Sequence, residues 1–404
     1  MTLPDGWRTK TIRDLATINY GRDPRAILSD DGEYPVYGTS GSERWGTGYL
    51  YDGESIILGR KGTIERVHFA SGRFWTIDTA YFLSDFGESV PKWLYYSLCG
   101  RDLRALNEAT GVPSLSRDVL YKLKTPTPPP PEQAKIAEVL STVDRAIGQT
   151  EAVIAKQQRI RTGLMQDLLT RGIDKHGNLR SEETHEFKNS PLGRIPAEWE
   201  PTPFGSCGRW FSGGTPSKAV RRFWGGNVPW ICPKDMKQFE LRDSIDRLTD
   251  QAVSAGTRLM PVGTVFIVIR GMILAHTFPV GISTAQVAFN QDVKAIVPKD
   301  GVLGRYLAYW LSSRSHEFLK LATSATHGTK RFDMDELHAV PIGVPLPEEQ
   351  ERIVAIFDKQ QALIDWLHGT AEKLRAQKRG LMQDLLTGNR RVTILLESRE
   401  AVTA

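Results

Sequence analysis

The octapeptide GLMQDLLT occurs twice in this chain, at residues 163–170 and 380–387, and this repeat constrains the fold more than any other feature. The two copies lie 217 residues apart, and further matches occur at the same offset without an insertion. Upstream, LPDGW at 3–7 corresponds to IPAEW at 195–199, so the second copy holds about 25 additional residues in its front part. The chain is therefore a tandem duplication. Each copy has a variable N-terminal part, called the front, and a constant C-terminal part, called the back. Identical pairs at the offset of 217 are Asp118 and Asp335, Leu120 and Leu337, Glu132 and Glu349, Gln133 and Gln350, and Ile136 and Ile353.

The constant backs are predicted to be two long helices. Their apolar residues recur at alternating spacings of three and four, which is the heptad seam of a coiled coil. Each segment begins after prolines with glutamate in its first turn and ends at a glycine, as helix starts and left-handed C-caps prefer. A helix of ~39 residues at ~1.5 Å per residue is about 58 Å long, which exceeds what one small domain needs. The seam residues are Ile136, Leu140, Val143, Ile147, Ile154, Leu164, Leu168, Ile353, Phe357, Ile364, Leu367, Leu374, Leu381 and Leu385.

Polar residues interrupt both seams, at Thr150, Gln157 and Arg161 in the first and at Gln360 and Lys378 in the second. A single seam of this kind is typical of an ordinary coiled coil or a core helix. Two seams of equal length and register favour pairing with each other, because antiparallel pairing buries both apolar stripes. We therefore predict an antiparallel coiled coil with pseudo-two-fold symmetry, whose polar positions either fix the register or meet helices of a partner.

The two fronts are predicted to be mixed α/β domains. In the first front, β-rich runs punctuated by glycine at 55–69 and 74–84 precede a segment with helical spacing at 91–106. The second front repeats this plan at 263–274, 285–297 and 303–321. The fold class is thus α/β, mixed α+β, in tandem duplication with a long α-helix after each domain. The predicted segments are a first domain at 1–130, a first helix at 131–172, a polar linker at 173–195, a second domain at 196–346, a second helix at 347–388 and a tail at 389–404.

Basic and small hydroxyl residues gather in glycine-rich loops of both fronts. Arg60 and Arg270 occupy equivalent places, each beside a glycine at the end of an apolar strand. Arginine and lysine bind phosphates or the guanine edge, and small hydroxyl residues approach the DNA backbone closely. A solvated loop is the ordinary role of any one such residue, but equivalent placement in both copies favours a binding surface. The candidate DNA contacts are Ser40, Arg44, Arg60, Lys61, Thr63, Thr215, Ser217, Lys218, Arg221, Arg222, Lys234, Arg270, Lys330 and Arg331.

Composition narrows the class of protein. With 404 residues, of which 40% are hydrophobic and 25% charged, the chain has room for two ordinary globular domains. Three widely spaced cysteines without a CxxC pair signal neither a disulfide framework nor a zinc cluster. The sequence shows no leader and no long apolar run, so we expect a cytoplasmic location and no membrane insertion. A net charge of +5 and a pI near 9.0 favour an acidic partner such as nucleic acid.

The order of motifs resembles the specificity (S) subunits of type I restriction-modification systems over nearly the whole chain. PxxW openings stand at 4–7 and 196–199, and PPPEQAKIAEVLSTVDRAI and PLPEEQERIVAIF lead into the two helices. The first front carries YPVYGTSG and DGESIILGRKGTI, and the second carries SGGTPSK followed by FWGGNVPWICPKDM. Each motif alone is loose, whereas their order and duplication are specific to this family.

The resemblance implies that the fronts are target-recognition domains and that the helices space them along double-stranded DNA. It further implies that the helices dock two modification subunits, which bind S-adenosylmethionine and methylate adenine, and that restriction subunits add ATP- and Mg-dependent translocation and cleavage. The chain itself would bind no cofactor or metal and would not be an enzyme. Half-sites on one DNA face lie about 34–36 Å apart, which helices of about 58 Å can span. Because the fronts differ, the target should be bipartite and asymmetric.

Two other functions compete with this interpretation. A metal-dependent nuclease could use Asp292 and Lys294, since DVK matches part of a nuclease signature, but the counterpart at Asp78 lacks the lysine. A structural role in which the aspartates accept loop N–H groups explains both positions. Methyltransferase and P-loop motifs are missing from the sequence. The second alternative is a duplicated helical scaffold that binds no DNA. A metal role for His176 and His185 has no cysteine or paired histidine nearby to support it, and the apolar VTILL of the tail is expected to dock against the protein.

Overall fold

The computed structural model of the chain describes residues 3–324, 329–393 and 395, without the side chain of Glu43. Two residues of the VTILL segment, Ile394 and Leu396, and the tail beyond them lie outside the described residues. The chain divides into two compact units. Unit 1 comprises Met1–Val153 with Leu367–Ala404, and unit 2 comprises Ile154–Trp366. The division falls inside both long helices, so each unit contains one front and a part of each helix.

The front of unit 1 is a mixed α/β domain, as the sequence predicts. Its short helices are α1 (Ile12–Leu15), α2 (Pro91–Cys99) and α3 (Arg117–Tyr121). Sheet order is β2-β9-β6-β7 in one four-stranded sheet and β4-β3-β8-β5 in another, with β1 paired to β10. Its strands are β1 (Arg8–Thr11), β2 (Thr17–Tyr20), β3 (Tyr34–Gly38), β4 (Gly41–Gly46), β5 (Tyr51–Asp52), β6 (Ser55–Gly59), β7 (Val67–Ala70), β8 (Arg73–Thr76), β9 (Ala80–Ser84) and β10 (Lys124–Thr127).

The core of unit 1 lies between the first sheet and α2. Strands β6 and β9 are buried at every position, as continuous apolar runs such as SIILG and AYFLS require when both faces of a strand are covered. Trp93, Leu94 and Tyr96 of α2 are fully buried against this sheet. Leu385 and Val392, from the end of the chain, belong to the same core. The front of unit 1 therefore has a well-packed core, and the loops after β3 and β6 lie at its surface.

Unit 2 contains the second front, whose plan matches the first with added strands. Its short helices are α5 (Asp250–Gly256), α6 (Gly304–Ser313), α7 (Ser315–Leu321) and α8 (Met334–Ala339). The strands are β11 (Phe187–Ser190), β12 (Gly193–Pro196), β13 (Glu200–Pro203), β14 (Gly208–Ser212), β15 (Trp224–Ile231), β16 (Glu240–Leu241), β17 (Arg247–Leu248), β18 (Leu259–Met260), β19 (Val265–Val268), β20 (Arg270–Gly271), β21 (Val280–Ser283), β22 (Val287–Phe289), β23 (Val293–Pro298), β24 (Thr323–Ser324), β25 (Lys330–Arg331) and β26 (Pro341–Val344).

The main sheet of unit 2 has the order β14-β23-β19-β21-β16, and β17-β15-β22-β18 forms a second sheet. A three-stranded sheet, β20-β25-β24, lies beyond the end of β19. The remaining strands form the pairs β11-β12 and β13-β26. The segment expected to be a polar linker thus contains the hairpin β11-β12, and it also buries Arg180. This segment is folded because its residues contact residues that are distant in sequence. Its polar composition alone does not predict these contacts.

The two long helices are α4 (Pro130–Leu168) and α9 (Pro347–Thr387). They contain 39 and 41 residues, close to the length expected from the heptad pattern. Within the described residues, no helix is long and apolar enough to span a membrane. Every seam residue is buried or half-buried. Buried members are Ile136, Leu140, Ile154, Leu168, Ile353, Phe357, Ile364, Leu367 and Leu385, and half-buried ones are Val143, Ile147, Leu164, Leu374 and Leu381.

Polar contacts connect the helices inside each unit. In unit 1, Asp144 of α4 pairs with Lys378 of α9 at 2.6 Å, and Glu151 pairs with Arg375. In unit 2, the Gln360 amide of α9 donates to the carbonyl and side-chain oxygens of Gln157 of α4, at 3.1 and 2.8 Å. Lys378, Gln157 and Gln360, three of the five polar interruptions of the seams, therefore take part in contacts between helices.

The repeated glutamines at the start of the long helices join each helix to its front. Gln133 accepts from the backbone N–H of Val90 at 2.8 Å and donates to Pro128 O at 2.9 Å. Val90 is the residue that precedes α2, so the side chain satisfies a free N–H at a helix start. Gln350 does the same in unit 2, where it accepts from Leu303 N, ahead of α6, at 2.7 Å. The duplicated glutamine is thus a fixed attachment point between helix and domain.

Candidate nucleic-acid interface

The loop after β6 carries three of the candidate contacts in unit 1. A Cβ at Gly59 would lie 2.2 Å from the carbonyl oxygen of Thr63, so only glycine allows the loop to fold back on the strand. Gly62 has a φ of +89°, the left-handed region that glycine tolerates. The sequence GRKGT is therefore needed to form a tight loop, and this loop presents Arg60, Lys61 and Thr63 in a fixed order.

Arg60 is held in place by neutral groups. Its Nη1 donates to the carbonyl oxygen of Asp78 at 3.1 Å, and its guanidinium lies over the Tyr20 ring, 5.1 Å from the centroid. Arg117 also lies over Tyr20, at 5.0 Å, and the tyrosine is 45% exposed. No carboxylate pairs with either arginine in the described part of the chain. Two cations oriented on one half-exposed aromatic ring, with their charges uncompensated, suit an anionic ligand.

The hairpin β3-β4 presents the other two candidates of unit 1. Ser40 lies in its turn, and Arg44 lies on β4 opposite Val36, beside a register shift of the hairpin. Both residues line an open cavity of about 430 Å³ that also reaches Asp78. Because the Asp78 carbonyl accepts from Arg60, the cavity and the β6 loop form one continuous surface.

In unit 2, the sheet β20-β25-β24 brings three predicted contacts together. Arg270 pairs with Arg331 across the sheet, and Lys330 follows opposite Gly271. The carboxylate of Asp292 accepts from Arg270 Nε at 2.7 Å and lies 2.5 Å from its Nη2, which offsets part of the like-charge repulsion. The structure thus gathers residues that are distant in sequence into one basic patch.

A second basic loop of unit 2 runs between β14 and β15. The hydroxyl of Thr215 donates to Gln291 at 2.6 Å, which places the start of this loop near Asp292. Trp224 and Trp230 anchor the loop, because their indole N–H groups donate to the carbonyls of Ser217 at 3.2 Å and Gly214 at 3.0 Å. The exposed members of this loop are Thr215, Ser217, Lys218, Arg221 and Arg222.

Lys234 is the candidate that the structure does not bring to either group. Its Nζ lies 2.7 Å from Asp246, and this hydrogen bond raises the pKa of Lys234. This ion pair holds Lys234 to the segment between β15 and β17. None of the fourteen candidates is buried: Arg60, Thr63 and Lys330 are half-buried, and the others are exposed.

The structure points to further residues that the sequence analysis omitted. Tyr20 and Arg117 flank Arg60, and the loop 107–116 lies against the β6 loop, where Gly62 N donates to Pro113 O at 2.9 Å. The signal for this loop was available, because the offset of 217 aligns Ser114 with Arg331. Met272 is 72% exposed two residues after Arg270, an apolar side chain next to the basic patch.

The nuclease alternative places catalysis at Asp292 and Lys294. Asp292 accepts hydrogen bonds from the side chains of Arg270 and Asn290, which corrects the expectation that it accepts loop N–H groups. Lys294 Nζ lies 2.5 Å from the hydroxyl of Ser212. Among residues 3–324, 329–393 and 395, no group of three or more His, Cys, Asp or Glu side chains could hold a metal ion, and this range includes His176 and His185. What the structure shows for Asp292 is its contact with Arg270.

A protein-family model described as the type I restriction modification DNA specificity domain matches residues 4–157 and 196–376. These two matches cover both fronts and most of both long helices. The chain belongs to this family. The recognition made from the motif order is confirmed, and the nuclease alternative is not favoured.

Similar proteins are specificity subunits of type I restriction enzymes. The EcoR124I/EcoR124II specificity subunit of Escherichia coli is 34% identical over 197 residues, which are 48% of this chain and 49% of that subunit. This match spans about half the length of the relative. The MjaVIII specificity subunit of Methanocaldococcus jannaschii is 22% identical over 97% of this chain and 95% of its own. The S subunit structure from M. genitalium has a TM-score of 0.61 at 16% identity, covering 96% of this chain and 98% of that one, which supports a shared fold.

Proposed function

We propose that this chain is the non-catalytic, DNA-reading specificity subunit of a type I restriction-modification complex. The observation that carries this proposal is the repeated position of Arg60 and Arg270. Each arginine follows the central buried strand of its own front, β6 or β19, and each lies in a group of exposed cations and hydroxyls. Such groups bind phosphates and base edges of duplex DNA. The family membership of both fronts supports the same conclusion.

The two half-sites of the target are proposed to differ. In unit 1 the surface consists of a cavity beside Arg44 and an aromatic ring between Arg60 and Arg117. In unit 2 it consists of the sheet patch around Arg270 and the long loop before β15. Base recognition depends on the donors, acceptors and apolar atoms presented to the groove, so surfaces this different should not read the same bases. The target is therefore bipartite and non-palindromic.

The long helices are proposed to form an antiparallel coiled coil with pseudo-two-fold symmetry that sets the spacer between the half-sites. In unit 1 the partners Asp144 with Lys378 and Glu151 with Arg375 advance along α4 as they retreat along α9. In unit 2 the buried seam residues and the Gln157–Gln360 contact support pairing of the same two helices. With ~1.5 Å of rise per residue, helices of this length can span one turn of DNA.

The outer faces of the helices are proposed to dock two modification subunits. Gln166 and Gln383 of the repeated octapeptide are both exposed, so packing inside this chain does not explain their identity. In unit 1 the octapeptide borders an open cavity of about 660 Å³ lined by Met382, Leu386 and Cys99. Burial raises the pKa of the Cys99 thiol to about 11, which makes it an unreactive apolar member of this surface.

The cofactors of the reaction are proposed to be held by the other subunits. S-adenosylmethionine belongs to the modification subunits, and ATP and Mg belong to the restriction subunits. The proposed partners are thus double-stranded DNA, two modification subunits and the restriction subunits. A cytoplasmic location stays a prediction from the composition.

Mapping methylated adenines in cells that express this chain with its modification subunit tests the proposal. We expect modified adenines within one bipartite sequence, with two unlike half-sites and an unread spacer. A continuous or palindromic target, or no methylation that depends on this chain, would contradict it.

Arg60 offers a test at the level of one residue. If it reads guanine, Arg60→Ala should weaken binding by about 1–3 kcal/mol and relax a single base position of one half-site. If it contacts phosphate, the loss should be equal for all sequences. Competition binding with duplexes mutated in either half-site separates these results. Arg194→Ala, which removes an exposed arginine outside both helices and outside the candidate contacts, is the control, and equal affinities for Arg60→Ala and the control would exclude Arg60 from the interface.

A further inference from the structure

A buried carboxylate stands in the first turn of each long helix. Glu349 of α9 is 3% exposed and is held by three groups of unit 2. Its oxygens accept from the backbone N–H of Ile173 at 2.9 Å and from the Trp199 indole at 3.3 Å, and they pair with the Arg180 guanidinium at 2.5 and 3.0 Å. Trp199 belongs to the PxxW opening of the second front. The carboxylate thus ties the first strands of the domain to the start of the helix.

Unit 1 builds the same cluster from different parts of the chain. Glu132 of α4 is 2% exposed and accepts from the Trp7 indole at 3.0 Å. The guanidinium of Arg391 donates to it at 2.8 and 3.2 Å. Trp7 belongs to the first PxxW opening, so the tryptophan and the glutamate are true repeats. We refer to each group, Trp7 with Glu132 and Arg391, and Trp199 with Glu349 and Arg180, as a carboxylate clamp.

The arginines of the two clamps are not repeats in the sequence. Arg180 lies in the segment that follows α4, and Arg391 lies in the tail that follows α9. In each unit, the segment after one long helix supplies the cation for the first turn of the other. Hydrogen bonding to Glu132 raises the pKa of Arg391. For Arg180, burial opposes the charge, but the contacts with Glu349 and Glu198 outweigh it and raise the pKa of the guanidinium. The tail therefore has a structural counterpart that sequence comparison misses.

Each clamp adjoins the glutamine contact described above. Glu132 and Gln133 are consecutive, so one turn of α4 holds the opening strand through Trp7 and the start of α2 through Val90. Glu349 and Gln350 repeat this arrangement with Trp199 and Leu303. Two attachments on different elements of a domain fix both its tilt and its rotation about the helix. A single attachment would leave one of these free.

We propose that the clamp residues are positioning residues, which set the angle at which each recognition domain is carried on its helix. The C-terminal segment performs this role for the first domain through Arg391. This inference rests on the proposed function, because the angle matters only if both domains must meet one duplex at a fixed separation. Neighbouring base pairs are ~3.4 Å apart along the axis, so even a small rotation of a domain changes which spacer it accepts.

The test uses the full chain assembled with its modification subunits and duplexes carrying the target found by methylation mapping. Matched duplexes have a spacer one base pair longer or shorter, or a scrambled first half-site. Wild-type complex should prefer the native spacer by about tenfold or more, on the scale of a mismatched base pair. Arg391→Ala should reduce the preference for the native spacer to less than about threefold and should still discriminate against the scrambled half-site. Arg391→Lys should restore part of the spacer preference. Arg390→Ala, at the neighbouring exposed arginine, should behave as wild type.

Two results would overturn the inference. One is a spacer preference in Arg391→Ala equal to that of Arg390→Ala. The other is an equal loss of binding to every duplex, which would assign Arg391 to folding alone. Should Arg391→Ala fail to fold, Trp7→Phe keeps a smaller aromatic ring at this position and removes the hydrogen bond to Glu132, and the same two outcomes apply to it. Failure of the wild-type complex to bind the mapped duplex would instead contradict the proposed function.

Discussion

Replacing Arg180 by alanine is expected to lower the free energy of unfolding of unit 2 by about 3–5 kcal/mol. The side chains of Arg180 and Glu349 are 6% and 4% exposed, so the substitution leaves a carboxylate buried without its cation. The remaining donors, Trp199 and Ile173, are neutral and cannot balance the charge. The urea dependence of amide hydrogen exchange in the full chain measures this effect, because peptides from α6 report on unit 2 and peptides from α2 report on unit 1.

Two variants serve as controls for this prediction. Arg194→Ala removes an exposed arginine that pairs with Glu182 and should leave the stability of unit 2 almost unchanged, because exposed ion pairs contribute little. The double variant Arg180→Ala, Glu349→Gln should recover part of the loss, because it removes the lone charge and keeps an oxygen that accepts from Trp199. A cost for Arg180→Ala no larger than for Arg194→Ala would show that the buried pair does not stabilise unit 2.

DNA affinity of the chain is expected to fall by about 10³- to 10⁴-fold when the salt concentration rises from about 50 to 200 mM. Ten of the fourteen candidate contacts are lysine or arginine, and within the described residues only Lys234 and Arg270 among them are ion-paired. If six to eight of the remaining cations meet phosphates, the slope of log K against log salt should be about −5 to −7. Fluorescence anisotropy of a labelled target duplex over a salt series gives this slope.

The double variant Arg221→Ala, Arg222→Ala tests where the salt dependence originates. Both residues are exposed on the loop before β15, and each phosphate contact should contribute about one unit of slope. We therefore expect the slope to decrease by about two. An absence of any shift of duplex DNA, together with assembly that is insensitive to salt, would favour the helical scaffold without DNA binding.

The long helices could be predicted from the sequence because their pattern is long and repeated. The apolar spacing of three and four residues is kept over about five heptads in both copies, which a strand period does not fit. The repeated octapeptide places the same residues at the same heptad positions in both copies. The fronts were predictable as α/β because buried runs such as SIILG are flanked by glycine and followed by helical spacing. The local sequence pattern predicts a secondary-structure element correctly where the residues that stabilise it lie within that same element.

The clamps could not be predicted in this way. The helix dipole alone explains a glutamate in the first turn of a helix, so the sequence gives no sign that Glu132 and Glu349 are buried. Their burial depends on Trp7 and Trp199, which lie more than a hundred residues earlier, and on arginines that are not repeats. The ion pairs of Lys234 and Arg270 with Asp246 and Asp292 have the same origin. Ion pairs between residues that are distant in sequence decide which cations are available to bind DNA. The spacing of residues in the sequence does not predict these ion pairs.

We propose above that the long helices set the spacer length between the two half-sites. The most direct test adds one heptad at the same level of α4 and α9 and maps the methylated adenines again. Seven residues add about 10.5 Å, or roughly three base pairs of duplex. We predict that both half-sites stay the same and that only the unread spacer lengthens by this amount. An unchanged spacer, or half-sites that change with the insertion, would contradict the account.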